Sequence, residues 1–261
     1  MKRLLDILFP LIVAMALLAA WEIAVGVKHI PPYILPAPSA ILKALLENWS
    51  GLFAAMLTTV TVTLQGFLGA LIAAIAFAIL FSQSRLAERA LYPYAVILQV
   101  TPMVAIAPLI LIWVGFEHID RALALIAGLI AFFPILSNAV QGLKSTDFNL
   151  IDLTRLYGAS RWQTLRHVQL PSALPALLTG MKVGGVIALI GEVTAEFAAG
   201  SGTASGLAWR IVESGNRLEI ATLFAALALL ALTGILFFAA LSLLEWALLR
   251  RWHESAISRE V

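Results

Sequence analysis

The stretch LIDLTRLYGASRWQTLRHVQLPSALP, residues 150–175, is a charged interval in a chain that is otherwise mostly Ala, Leu, Ile, Val and Phe. Its Asp, Arg and His side chains lie within sixteen residues and are Asp152, Arg155, Arg161, Arg166 and His167. Across all 261 residues, hydrophobic residues make up 61% and charged residues 12%, whereas about 25% charged residues is usual in soluble domains. The chain has too little polar surface to cover a soluble globule. The sequence therefore predicts a membrane protein.

Six apolar runs are long enough to cross a bilayer as helices, since a transmembrane helix needs about 20 mostly apolar residues. The predicted spans are residues 8–27, 57–81, 92–116, 121–142, 173–198 and 219–249. The first run continues through Trp21 without a small-residue cleavage site, so it is interpreted as a retained helix rather than a secretory signal. The sequence predicts an all-α polytopic membrane protein with one transmembrane domain over residues 1–261.

The basic residues at the ends of these spans predict the orientation of the chain. If the N-terminus is cytoplasmic, eleven Lys and Arg residues lie on that side and five on the other, and Lys182 inside a span is the seventeenth. The excess predicts that both termini are cytoplasmic. It also places residues 145–171 in the cytoplasm as a loop between the fourth and fifth spans.

The cytoplasmic loop has the pattern of two short helices joined at Gly158. Apolar residues recur at helical spacing on both sides of this glycine, and Ser160 is suited to cap the second helix. Pro171 is expected to end that helix before the fifth span begins. Composition alone would favour an ordinary positively charged loop, but the spacing favours a compact element that presents aromatic and arginine side chains to a partner.

The segments on the other side of the membrane also contain short helical patterns. Residues 32–49, PYILPAPSAILKALLENW, predict an interfacial helix in which Ser39 is the cap. Residues 200–219 begin glycine-rich and end in a second helical pattern. These glycines follow no strand, so they do not indicate a nucleotide-binding loop.

The sequence contains no set of residues typical of an enzyme. It has no G-x-x-x-x-G-K-[ST] phosphate loop, no H-E-x-x-H and no G-x-S-x-G motif, and it has no cysteine. The histidines lie far apart, at His29, His118, His167 and His253, without the spacing of metal ligands. No catalytic residue, metal or cofactor is expected, and nucleic acid is excluded as a partner because the basic residues lie between apolar spans.

The spacing in the cytoplasmic loop resembles the signature of binding-protein-dependent ABC importer permeases. That signature begins with an acidic residue and two alanines, and a glycine follows after three further residues. Nine residues then separate the glycine from an isoleucine, and one more residue separates the isoleucine from Leu-Pro. The matching positions here are Asp152, Gly158, Val168, Leu170 and Pro171. Leu153 and Thr154 stand where the family has alanines. The subgroup that handles nitrate, taurine, alkanesulfonates and thiamine or riboflavin precursors is the most similar, on the segments ILPAPSAIL, TPMVAIAPLILIWVGF and VTAEFAAGSGTASGLAWRI.

This resemblance implies a type I ABC importer permease in the plasma (inner) membrane of a prokaryote. Two permease subunits, as a homodimer or an unlike pair, would form the path for a small solute. Two separate ATPase subunits would hydrolyse ATP, and an external binding protein would deliver the solute. The residues expected to couple to the ATPase are Asp152, Arg155, Gly158, Ala159, Ser160, Arg161, Trp162, Leu170 and Pro171. The alternative is a channel or proton-coupled carrier that works alone in the bilayer, which would leave the spaced signature unexplained.

Polar residues inside the spans are the candidates for the translocation path, because unsatisfied polar groups are costly in hydrocarbon. The predicted path residues are Gln65, Gln99, Asn138, Glu192 and Glu196. Hydrogen bonding between helices is the alternative for each of them. Glu192 and Glu196 share one helix face, and Lys182 on the same span is expected to extend toward the cytoplasm.

Overall fold

A computed structural model describes residues 2–199 and 205–250 of the chain, and within these ranges the secondary structure is entirely helical. The elements are α1 Lys2–Val27, α2 Pro38–Glu47, α3 Trp49–Gln83, α4 Arg85–Val100, α5 Met103–Val114, a 3₁₀ turn Phe116–His118, α6 Ile119–Lys144, α7 Phe148–Leu156, α8 Arg161–Thr164, a π turn Leu165–Gln169, α9 Leu170–Ala199, α10 Leu207–Asn216 and α11 Ile220–Leu249. The predicted all-α class is confirmed.

Five helical stretches in the described ranges are long and apolar enough to cross a membrane: Leu8–Val27, Trp49–Gln83, Ile119–Lys144, Arg161–Ala199 and Ile220–Leu249. Each contains one of the predicted spans almost completely. The remaining predicted span, residues 92–116, is formed by α4 and α5 together, and counting this pair as one span gives six.

The third predicted span is not one helix, because α4 and α5 lie at 101° to each other across a break. The break lies at Thr101, which is extended with φ −72° and ψ 127°, and its N–H closes α4 by bonding to the Ile97 oxygen. A residue before proline is pushed out of the helical region, and Pro102 has no N–H with which to continue the ladder. Pro102 therefore ends α4 and starts α5 in a new direction.

The chain divides into two compact units by its internal contacts. The first unit comprises the described parts of Met1–Thr58 and Ser205–Leu232, and the second comprises those of Thr59–Ala204 and Thr233–Val261. In the first unit, α3 and α10 pack with the start of α11 around Leu52, Leu207 and Ala225. The predicted helical pattern at the end of residues 200–219 is confirmed as α10, whereas residues 200–204 lie outside the described part of the chain.

The helix predicted within residues 32–49 forms as α2, Pro38–Glu47, but Ser39 does not cap it. The N-cap of α2 is Ala37, which lacks a capping side chain, and Pro38 takes the first helical position. The Ser39 backbone N–H and hydroxyl both donate to the Glu22 carboxylate, at 3.0 and 2.7 Å. Because proline at the first position already suits a helix start, the serine bonds to α1 instead.

In the second unit, α6 and α9 pack side by side through glycines that leave room for the opposing helix. A Cβ atom on Gly142 would lie 2.8 Å from the Ala176 Cβ, and one on Gly180 would lie 2.6 Å from the Asn138 Cβ. Gly185 makes the same kind of close contact with Leu241 on α11. Small residues at these crossings bring the helices close enough to pack without large side chains between them.

Pro171 does not end the second loop helix as predicted, because α8, the π turn and α9 form one continuous helical stretch over Arg161–Ala199. A proline ring normally collides with the carbonyl four residues earlier. Here the preceding turn is widened, so that the Leu170 N–H bonds to the Leu165 oxygen five residues back. The wider turn makes room for the proline, and the helix continues.

Candidate functional sites

Residues 148–164, named here the α7–α8 knob, form two short helices joined by a tight turn. Gly158 has a φ of +74°, a region that L side chains rarely adopt, and it reverses the chain after α7. The Ala159 N–H bonds to the Thr154 oxygen at 3.0 Å. Ser160 then starts α8 with a capping box, since its hydroxyl accepts from the Gln163 N–H and the Gln163 side chain accepts from the Ser160 N–H. The predicted glycine break and serine cap are both confirmed.

The knob exposes large apolar side chains around its turn. Leu156 is 85% exposed and the neighbouring Tyr157 is 84% exposed, and Phe148 and Trp162 are also exposed. Leu165, the residue that follows the knob, is fully buried in the core of the second unit and anchors the knob there. An exposed apolar cluster of this kind is typical of a surface that binds another protein.

The structure brings most of the predicted coupling residues to this surface. Asp152 and Arg155 form an ion pair with each other at 3.0 Å, and Arg161 is exposed beside Trp162. Leu170 and Pro171 are half-buried at the start of α9 and do not belong to the exposed cluster.

The five predicted path residues do not form one cluster. Gln65 on α3 and Gln99 on α4 are exposed, whereas the Asn138 amide donates to the Pro134 oxygen of its own helix at 2.8 Å. Glu192 and Glu196 are each only 1% exposed on α9. No described residue bonds to the Glu192 Oε2 atom. A buried carboxyl oxygen without a partner is unusual and requires an explanation.

Two contacts in the second unit were missed from the sequence. Lys182 forms an ion pair with Glu245, near the end of α11. The Thr154 hydroxyl lies 3.1 Å from the Thr164 hydroxyl and ties α7 to α8. A charge inside a span needs a partner, so the first pair had a signal in the sequence, since Glu245 is an acidic residue inside the last predicted span.

Comparisons with known proteins agree with this architecture. The family described as binding-protein-dependent transport system inner membrane component matches residues 65–251. The riboflavin transport system permease protein RibX of Chloroflexus aurantiacus is 36% identical over 92% of this chain and 88% of its own. The formylaminopyrimidine transport permease protein ThiX of Halalkalibacterium halodurans is 31% identical over 95% of this chain and 98% of its own.

A solved structure shows the same fold. A chain of the MetNI methionine ABC transporter in an inward-facing conformation matches 77% of this chain and 97% of its own, with a TM-score of 0.67 and 18% identity. The fold class predicted from the cytoplasmic signature is confirmed. Together with the family match and the two relatives, the helical architecture shows that this chain belongs to the binding-protein-dependent transport system inner membrane components, the permease subunits of ABC importers.

Proposed function

We propose that two copies of this permease, or one copy and an unlike permease, form the path of an importer that is driven by a separate pair of ATPase subunits. The ATPase docks on the α7–α8 knob, and an external binding protein delivers a small solute. Both termini lie in the cytoplasm of a prokaryotic cell. The names of the riboflavin and formylaminopyrimidine relatives support a vitamin-precursor-like solute over nitrate or taurine.

The observation that carries this proposal is the exposed turn of the knob. A Cβ atom on Gly158 would meet nothing within 4 Å, so the turn is open to a partner surface. Leu156, Tyr157 and Trp162 around it supply aromatic and aliphatic anchors, which are the side chains that dominate protein interfaces. The Arg155 and Arg161 side chains are suited to the polar rim of such an interface.

The helix that follows the knob supports a mechanical role. Arg161–Ala199 is continuous and enters the α6–α9 pair, where a Cβ atom on Gly180 would lie 2.6 Å and one on Gly184 2.4 Å from a side-chain atom of α6. A displacement of the knob by the ATPase would therefore move α9 as a rigid element. Motion of packed helices of this kind is one means of alternating access.

Two groups of polar residues are proposed for the path. Gln65 and Gln99 have exposed side chains that a passing solute could contact. Glu192 and Glu196 are buried on α9, and we assign them to the part of the path that opens when α9 moves. For Asn138, the bond to the Pro134 oxygen supports a role in helix packing.

The test of this function is Gly158→Val in the purified complex with its ATPase. Valine at a positive φ costs about 1–2 kcal/mol and places a branched side chain on the docking surface. We expect loss of ATPase co-purification, or ATP turnover without uptake into vesicles. The matched control is Gly115→Val, because Gly115 also has a positive φ, +91°, with nothing within 4 Å of its Cβ position. Equal ATPase binding and uptake in both variants would reject the knob as the docking element.

A further inference from the structure

The second unit contains a cleft between α3, α4 and α6, named here the chamber, which is open on one side and which no coupling residue lines. Its volume is about 630 Å³, within the roughly 300–1,000 Å³ range of small-molecule sites. Two of its walls, α3 and α6, meet at Gly66 and Gly128, where a Cβ on Gly66 would overlap the Ala124 carbonyl oxygen. The third wall is formed by α4.

Aromatic rings form one part of the chamber wall. They are Phe77 and Phe81 on α3, Tyr94 on α4 and Phe132 on α6. The Phe77 ring lies edge-on to the Phe132 ring at 5.7 Å and to the Phe81 ring at 5.9 Å. Rings arranged in this way leave faces and edges on which a flat aromatic solute can pack.

Two polar side chains also line the chamber, namely Gln65 and Arg121. No described residue forms a hydrogen bond or ion pair with either side chain. A lipid tail would leave the Gln65 amide unsatisfied, which is costly in hydrocarbon. The Arg121 guanidinium, by contrast, matches a planar pair of acceptor oxygens on a solute.

We infer that this chamber binds the transported solute, and that the solute is a flat heteroaromatic molecule whose carbonyl or anionic edge is held by Arg121 and Gln65. This inference rests on the proposed function, because it names the substrate class of the same permease. If the chamber were instead a docking site for a second copy of the chain, a helix of that copy would cover the rings.

Gly69 provides a test that does not disturb the fold. It lines the chamber, and a Cβ there would meet nothing within 4 Å, so Gly69→Leu fills the space without a backbone clash. Gly26→Leu is the matched control, since Gly26 on α1 is equally open and lies outside the chamber. A second pair of variants is Arg121→Gln and Arg89→Gln. The first removes a basic side chain from the lining of the chamber, and the second, the control, removes one outside it.

The experiment measures binding of riboflavin, a formylaminopyrimidine and taurine to the permease–ATPase complex in lipid nanodiscs by equilibrium dialysis. We expect at least one of the two aromatic probes to bind and taurine not to bind. Gly69→Leu and Arg121→Gln should each weaken that binding about tenfold or more, which corresponds to about 1.4 kcal/mol, while the controls match the wild type.

Three outcomes would overturn the inference. The first is that neither aromatic probe binds. The second is that Gly69→Leu and Gly26→Leu bind the probe with equal affinity. The third is that Gly69→Leu dissociates the permease pair, as measured by light scattering, while the affinity for the solute is unchanged. The last outcome would identify a second copy as the occupant. Stimulation of ATP hydrolysis by the binding protein, recorded in the same samples, separates these results from failure of the proposed function.

Discussion

Thr154 stands where the family signature has its second alanine, and its hydroxyl gives the knob an internal bond. The Thr154 hydroxyl donates to the Ile151 oxygen at 2.7 Å. Since a hydroxyl has one proton, the 3.1 Å contact with Thr164 requires Thr164 to be the donor. The departure from the signature therefore holds α7 against α8 on either side of the exposed turn.

Replacing one of these threonines should destabilise the knob more than replacing both. Thr154→Val leaves the buried Thr164 hydroxyl without its partner, which costs about 1–3 kcal/mol, whereas the double change to valine removes both polar groups. We expect the single variant to lower the thermal midpoint of the purified permease and to weaken ATPase binding, and the double variant to recover most of both.

Thr58→Val is the control for this pair, because the Thr58 hydroxyl donates to the Ala54 oxygen within its own exposed turn and not to another helix of the described ranges. It should change the thermal midpoint little. If the single and double valine variants behave alike, the contact between the two hydroxyls does not hold the knob together.

At the scale of the elements, α3 shows how two glycines one turn apart take different roles. A Cβ on Gly66 would overlap the Ala124 carbonyl oxygen and lie 3.0 Å from the Ala127 Cβ, whereas a Cβ on Gly69 would meet nothing. The first glycine sets the distance between α3 and α6, and the second leaves space. Both look the same in an apolar run.

Gly66→Val should therefore disrupt the α3–α6 crossing, and Gly69→Val should not. Valine at Gly66 has to displace backbone on α6, and overpacking of this kind costs about 1–3 kcal/mol or more. Thermal unfolding in detergent, followed by helical circular dichroism, should show a lower midpoint for Gly66→Val only. Equal midpoints for the two variants would contradict the close crossing.

At the scale of the whole molecule, the distribution of basic residues predicts which side of the membrane each loop faces. The chain has no cysteine, so single cysteines placed at Ser145 and Asn216 report their side without background. Because cytoplasmic loops carry the excess of Lys and Arg, an impermeant maleimide should label Asn216→Cys in intact cells, and Ser145→Cys only after permeabilisation. The reverse labelling pattern would invert the topology.

The sequence by itself determined the class, most of the spans and the family. Apolar runs of sufficient length predict membrane helices because the bilayer imposes their length, and the intervals from Asp152 to Pro171 identify a local element whose geometry depends on its own residues. Gly158 and Ser160 took their predicted roles for the same reason, since positive φ and helix capping are local properties.

Only the tertiary structure decided which distant residues meet. The pairing of Lys182 with Glu245, the contact of Thr154 with Thr164 and the chamber beside Gly69 depend on how separate helices cross. In a bilayer the surrounding lipid is as apolar as the helices, so hydrophobic patterning along one helix does not select the face that packs. That choice is made by small residues, hydrogen bonds and ion pairs on opposite helices, and it exists only once those helices are together.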